Sequence, residues 1–348
     1  QIGGRRNMII NGSQIIAQRG EKTGCTVSQY TTCDRFKLEI SSAGTWTTSQ
    51  STTIPDGFAK SLKLDCTTAD ASLSAGDYIL ISHYFEGQDL QHLKKGTSGA
   101  EKITLSFHVR SNKTGTYIVE FYDADNSRSI SKSYTISSAN TFEKKTITID
   151  GDTSGAFNND NGQSFGIFFY LGAGSNFTSG TLNTSWNSRT LANVAVGQVN
   201  LADSTDNEWL ITGVQLELGE QETPFEHKSF GEEEQLCKRY FYRLGGDYNS
   251  DAVSPISMAM AYTTSTVYAG IRLPVRMRAI PSVSFSSYPR VYKPSASDQS
   301  SAFSLNTANS SPQDVRVYAD KASYFTAGDS SWIQVYNAGD TFDFDAEL

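Results

Sequence analysis

Short runs of alternating apolar and polar residues, repeated along 348 positions, constrain this chain more than any other feature. From Lys102 to Arg110, Ile103, Leu105, Phe107 and Val109 fall on one side, and Thr104, Ser106, His108 and Arg110 on the other. Successive side chains of a strand point to opposite faces, so a period of two marks a half-buried strand. The pattern returns at Phe36, Leu38 and Ile40, at Leu62, Leu64 and Cys66, and at Tyr117, Val119 and Phe121. It recurs again at Ile147 and Ile149, at Phe165, Ile167, Phe169 and Leu171, and from Trp209 to Leu218. Clusters such as Ser111-Asn112-Lys113-Thr114-Gly115 and Asn158-Asn159-Asp160-Asn161-Gly162 punctuate the runs as turns. Many short strands so divided predict an all-β chain built on an antiparallel jelly-roll sandwich. Its expected core holds Ile103, Leu105, Phe107, Val109, Phe165, Ile167, Phe169 and Trp209.

One segment breaks the rule. Phe230 to Arg243 reads as a short helix, with Glu232, Glu233 and Glu234 in its first turn and Lys238, Arg239 and Arg243 towards its end, complementing the helix dipole. Gly245-Gly246 closes it, and Tyr240, Phe241 and Tyr242, which cannot share one helix face, point to a contact with another domain or subunit. A second β pattern follows at Val267–Val275, Ser282–Phe285, Val315–Tyr318 and Trp332–Tyr336, broken by Pro274 and Pro281. Ser295 to Ser311 reads as a long loop. The expected organisation is a connecting segment and first strand over 1–24, a jelly roll over 25–229, a short helix and linker over 230–246, and a smaller β-sandwich over 247–348.

The net charge is −8 and the pI about 5.1, which argues against a partner bound mainly through phosphate neutralisation, so no nucleic acid is expected. No apolar run approaches the roughly 18 residues of a membrane span, so no membrane insertion is expected. The 17 Tyr and 19 Phe supply a core although only 38% of residues are hydrophobic. Gln1 is not an initiator methionine, which fits a fragment or a processed product. Cys25, Cys33, Cys66 and Cys237 show no CxxC spacing and read as free thiols, with a Cys25–Cys33 bridge left open. The sequons at Asn11, Asn112, Asn176, Asn183 and Asn309 carry little weight in so Ser-, Thr- and Asn-rich a chain.

The chemistry is sparse. His83, His92, His108 and His227 form no HxH or HxxxH pair, and the sequence has no GxSxG or P-loop. Gly172-Ala173-Gly174 follows a strand but lacks a third glycine, and is a turn. Asp123, Asp125 and Asn126 supply oxygens of the kind calcium takes, without the glycine and distal glutamate of an EF-hand, and read as a hairpin turn. No catalytic residue, metal or cofactor is expected.

Several motifs occur in an order that resembles a domain common in bacteriophage tail-fibre proteins. Asn7-Met8-Ile9-Ile10-Asn11-Gly12-Ser13, Gln18-Arg19-Gly20 and Tyr30-Thr31-Thr32-Cys33-Asp34-Arg35-Phe36 resemble its start. Ile103 to Ser111 resembles its central strand, and Ile211 to Gly219, Thr223-Pro224-Phe225-Glu226 and Cys237 to Tyr242 its end, so the likeness covers roughly 5–243. Met277-Arg278-Ala279-Ile280-Pro281 resembles, more weakly, segments that follow this domain. The domain is similar to jelly-roll carbohydrate-binding modules, whose Asn-Gly-x-Phe-Glu opening pairs with a closing Asp-bearing strand. Here the opening is Asn11-Gly12-Ser13-Gln14-Ile15 and the closing strand carries Thr212-Gly213, so the charged ligands of the calcium in such modules are missing.

The resemblance implies a virion structural protein, a tail-fibre component touching host-surface glycan without catalysis, in a homo-oligomer (commonly a trimer) with other virion proteins. A capsid decoration or head-fibre protein without glycan binding is the first alternative. A polysaccharide-degrading tailspike is the second, and the parallel β-helix repeats usual in tailspikes are not found in the sequence. A sugar site needs a ring to stack on and polar groups beside it. On the non-core faces these are His108, Glu120, Tyr122, Phe168 and Tyr170, with Trp332 and Tyr336 as the alternative.

Overall fold

The structure is a computed structural model, and it describes residues 6–245, 254–293, 296–335 and 339–348. Gly246, Ser295 and Tyr336 lie outside the described residues. The chain is all-β and divides into two compact units, one of residues 1–233 with Leu348, the other of 234–347.

In the first unit the alternating runs form two antiparallel sheets. One has the order Lys22–Cys25, Thr45–Ser51, Ser61–Thr68, Glu208–Leu218, Ile103–Ser111, Glu143–Ile149. The other runs Asn187–Ser188, Arg128–Ile136, Gly115–Asp123, Gln163–Ala173, Tyr78–Glu86, Lys37–Ser41, Gln29–Tyr30. The chain passes back and forth between the two sheets, one or two strands at a time, which gives a jelly-roll-like sandwich. The inward sets meet between the layers: Phe107 of the first sheet packs edge-on against Phe169 of the second at 5.2 Å, and Phe169 lies 6.1 Å from Trp209. All eight residues expected in the core are buried there. Burying each such side chain contributes about 1.5–3 kcal/mol.

The segment before Lys22 belongs to this sandwich and does not merely connect to it. Ile9 and Ile16 are fully buried, and the chain runs beside strand Glu208–Leu218. Met8 N–H donates to Leu216 O (2.9 Å), Leu216 N–H to Asn7 Oδ1 (3.1 Å) and Val214 N–H to Gly12 O (2.9 Å). The Asn-Gly opening and the Thr-Gly closing strand thus meet in space. At Gly12 a Cβ would stand 2.1 Å from Val214 O, so only glycine permits the approach. Asn11 takes a left-handed φ of 61° and uses its side chain three times, on Ile16 N–H, Ile16 O and Asp34 O.

The helix is shorter than its charge pattern predicts. It spans Phe230–Lys238 and is followed by strand Phe241–Gly245. The aromatic run explains the difference: Phe241 and Tyr242 alternate between faces and pair with Asp345 and Phe344, while Arg243 grips Asp343 through two bonds of 2.6 Å. The two units divide at Glu233, within the expected helix and linker over 230–246.

The second unit has a three-stranded sheet, Phe241–Gly245, Thr341–Asp345 and Ser282–Phe285. Its larger sheet runs Ala296–Gln299, Arg290–Lys293, Ser330–Val335, Ser254–Ala261, Thr266–Arg272, Asp314–Asp320, Ala302–Leu305. The expected loop over 295–311 thus contains two strands and a 3-10 turn, Thr307–Asn309, because Phe303 inserts into the core beside Phe342 at 5.0 Å. Val267, Val291, Val317, Ile333, Phe342 and Phe344 fill that core.

Candidate functional site

Four of the five residues proposed for sugar contact come together on the outer face of the seven-stranded sheet in the first unit. Phe168 pairs with Glu120 in register, and Tyr122 lies one repeat along the same strand. Tyr170 donates its hydroxyl to Glu120 Oε2 at 3.0 Å. That face is closed. Arg189 reaches in from the loop after Gln163–Ala173 and binds Glu120 through Nε at 2.6 Å and Nη2 at 3.0 Å, while its guanidinium lies 4.6 Å over the Tyr122 ring. Val194 and Ala195 of the same loop pack with Leu80, Ile118, Phe168 and Tyr170. Glu120 is fully buried, and Tyr170 is 1% and Phe168 6% exposed. Burial, with the Glu120 charge beside it, pushes the Tyr170 phenol well above its usual range.

His108 sits in the other sheet, so it does not join the four. Its ring packs on Phe58 at 5.2 Å, and Phe58 also meets Phe225 at 5.1 Å and His227 at 5.4 Å. Burial and the neighbouring Lys144 lower its pKa. The five residues expected for sugar contact thus lie on the non-core faces of two different sheets, and the chain's own loops pack over both sets. A sugar reaches Glu120, Phe168 or Tyr170 only by displacing residues 175–195. Arg189, which decides this, carried no sequence signal beyond being a charge in a polar loop.

The turn oxygens are also taken. Asp123 Oδ2 lies 2.5 Å from Lys95 Nζ, and Asp125 accepts from Asn158 at 2.7 and 2.9 Å. Among the described residues no three His, Cys, Asp or Glu side chains are grouped to hold a metal ion. All four cysteines are buried.

The open surface is the outer face of the seven-stranded sheet in the second unit. Strand Ser254–Ala261 and the residue after it present Met258, Met260 and Tyr262 at 70%, 55% and 59% exposure. The register places Met258 beside Trp332, Met260 beside Tyr268, and Tyr268 beside Tyr318. Tyr292 stacks on Trp332 at 4.8 Å with planes 8° apart, and Tyr262 on Tyr268 at 4.7 Å and 20°. Next to this belt a groove of about 550 Å³ follows strands Thr266–Arg272 and Asp314–Asp320, lined by Tyr268, Gly270, Arg272, Asn309, Asp314 and Arg316. Gly270 forms its floor, where an added side chain would meet nothing within 4 Å. Arg316 holds its guanidinium 4.4 Å over the Tyr268 ring. Of this surface, sequence reading singled out Trp332 alone among the described residues.

No family model matches the sequence, and no curated protein matches it. Among solved structures the chain is similar to the enzymatically active domain of bacteriophage CBA120 tailspike protein 4, at 15% identity and TM-score 0.32 over 61% of this chain and 21% of that one. It is similar to a putative sugar binding protein from Bacteroides thetaiotaomicron at 11% identity and TM-score 0.31, over 62% of this chain and 100% of that one. A family 11 carbohydrate-binding module from Clostridium thermocellum follows at 8% identity and TM-score 0.29, over 57% and 99% of the two chains. The chain thus matches about a fifth of the tailspike's length. At such scores and identities no function passes from these proteins to this chain.

Proposed function

We propose that this chain is a non-catalytic part of a phage virion's exterior, a tail-fibre component that recognises host-surface glycan through the outer face of its second unit. The observation that carries the recognition is the belt of Met258, Met260, Tyr262, Tyr268, Tyr292 and Trp332 on one sheet face, of which Met258, Met260 and Tyr262 are exposed and the other three half-buried. Aromatic rings offer stacking area for the C–H faces of sugars, and the adjacent groove falls within the roughly 300–1,000 Å³ of small-ligand sites. The ordered tail-fibre-like motifs support the virion setting.

A glycan array with the full chain tests the reading, followed by Tyr262→Ala and Trp332→Ala. Loss of binding in both variants with intact circular dichroism is the expected result, and undiminished binding refutes the assignment. The two exposed methionines favour a second reading, since Met and aromatic residues are enriched in protein interfaces. Under it the same belt joins copies of the chain in a trimer. A monomer mass in light scattering at micromolar concentration excludes that reading.

A further inference from the structure

The groove beside the belt is charged in a way that names its ligand. Arg272 and Arg316 face one carboxylate, Asp314, and only Arg272 pairs with it, at 2.8 Å. That pair is well exposed, at 69% and 59%, so it holds little energy and yields readily to a ligand. Among the described residues no carboxylate pairs with Arg316, whose guanidinium is instead held over Tyr268. The groove therefore carries one uncompensated cation, in a chain whose net charge is −8. A guanidinium is a planar fork of N–H donors that matches a carboxylate in two parallel bonds, and the ring beneath restricts its motion. Tyr268 gives the groove an aromatic wall, Asn309 an amide donor and acceptor, and Gly270 an open floor.

We propose that this groove binds an acidic saccharide, with the sugar's anionic group on Arg316 and its ring over the Gly270 floor. The inference rests on the glycan-binding reading and adds the charge of the sugar and the residue that selects it.

Titration calorimetry of the full chain with trigalacturonate, maltotriose and a sulfated trisaccharide tests it, with Arg316→Gln, Arg316→Lys and Gly270→Val as variants. Trigalacturonate is expected to bind at least about tenfold more tightly than the neutral maltotriose, because its carboxylate makes charge-assisted hydrogen bonds to the guanidinium that the neutral sugar lacks. Arg316→Gln should remove that preference, Arg316→Lys should keep part of it, and Gly270→Val should abolish binding by filling the floor. Tighter binding of the sulfated sugar also supports an anion groove and assigns it to sulfate. Equal affinity for maltotriose and trigalacturonate, or a preference that survives Arg316→Gln, overturns the acidic-sugar inference and leaves glycan binding on the belt intact. Failure of all three sugars, and of the whole array, with an unchanged melting temperature overturns both.

Discussion

Lys95 fills a cage at the end of the first sandwich where a cation is needed, and replacing it by methionine isolates what that ammonium contributes. Its Nζ lies 2.5 Å from Asp123, 3.1 Å from Asp152, 2.9 Å from Ser154 O and 2.7 Å from Gly155 O, with Phe157 and Trp186 at its sides. The Lys95 side chain is 5% exposed and those of Asp123 and Asp152 0% and 3%. Breaking a buried pair costs about 3–5 kcal/mol because the remaining charge stays buried. Here the survivors keep partners: Arg128 still binds Asp152 at 2.7 and 3.0 Å, and Asn126 Nδ2 binds Asp123 at 2.9 Å. The loss for Lys95→Met is therefore set at the low end, about 3 kcal/mol, or roughly 6–12 °C in Tm for a unit of this size. Three of the four tryptophans, Trp46, Trp186 and Trp209, lie in this unit, so Trp332→Phe leaves a fluorescence melt that reports on it alone. Adding Asp123→Asn to Lys95→Met removes the stranded charge and should recover part of the loss. A Tm drop below about 3 °C for Lys95→Met, or no recovery in the double variant, refutes the reasoning.

Other outcomes follow from the same geometry. Phe107→Ala should cost about 3–5 kcal/mol in chemical unfolding of the first unit, since the ring is fully buried between the layers; a loss under 1 kcal/mol, taken as roughly the scale of a surface change, would contradict its placement. Gly12→Ala should destabilise by about 1–3 kcal/mol, because its methyl meets the Val214 carbonyl and the backbone must shift; an unchanged midpoint would show that the opening does not dock on the closing strand. Asp152 and Glu208 have lowered pKa values in the folded protein, so their contribution is present above the unfolded carboxylate range, about pH 4, and is lost as pH falls through their folded values. Melts at pH 6, 4 and 2.5 should show Tm falling mainly over the last step, and a flat profile would count against these ion pairs. The native thiols should resist a thiol reagent until unfolding, since all four are buried and burial raises the Cys33 pKa well above normal.

The period-two runs made most of the first sandwich legible, because a strand with one face inward must alternate whatever its partners are. Strand order was not legible, since alternation names the buried face and not the neighbour across the ladder. The helix was overextended for a definite reason. Lys238, Arg239 and Arg243 satisfy a helix C-terminus as well as they satisfy solvent, and nothing local reveals that Arg243 has a cross-strand partner a hundred positions away in Asp343. The second unit was harder. Ala296–Gln299 is polar and Ala302–Leu305 is only four residues long, so neither shows a clear period, and pairing with their neighbours makes them edge strands.

The site fails to show in sequence for a related reason. A polar residue on the outward side of a strand looks the same whether water or the chain's own loop lies over it. Glu120, Tyr122, Phe168 and Tyr170 were placed correctly on one face, and Arg189 closes that face from a loop that no strand pattern marks. A buried, doubly hydrogen-bonded carboxylate is held by what covers it, so this cluster fixes the loop onto the sheet. The second unit inverts the arrangement. Met258 and Met260 have the apolar character of core residues, yet the buried side of their strand belongs to Ile256, Ala259 and Ala261. Apolar side chains on the polar side of an alternating strand bury little area on folding and expose area that favours association. On the proposed reading, their presence beside Arg316, with which no carboxylate among the described residues pairs, is a reason to look for recognition in the second unit and to treat the first as scaffold.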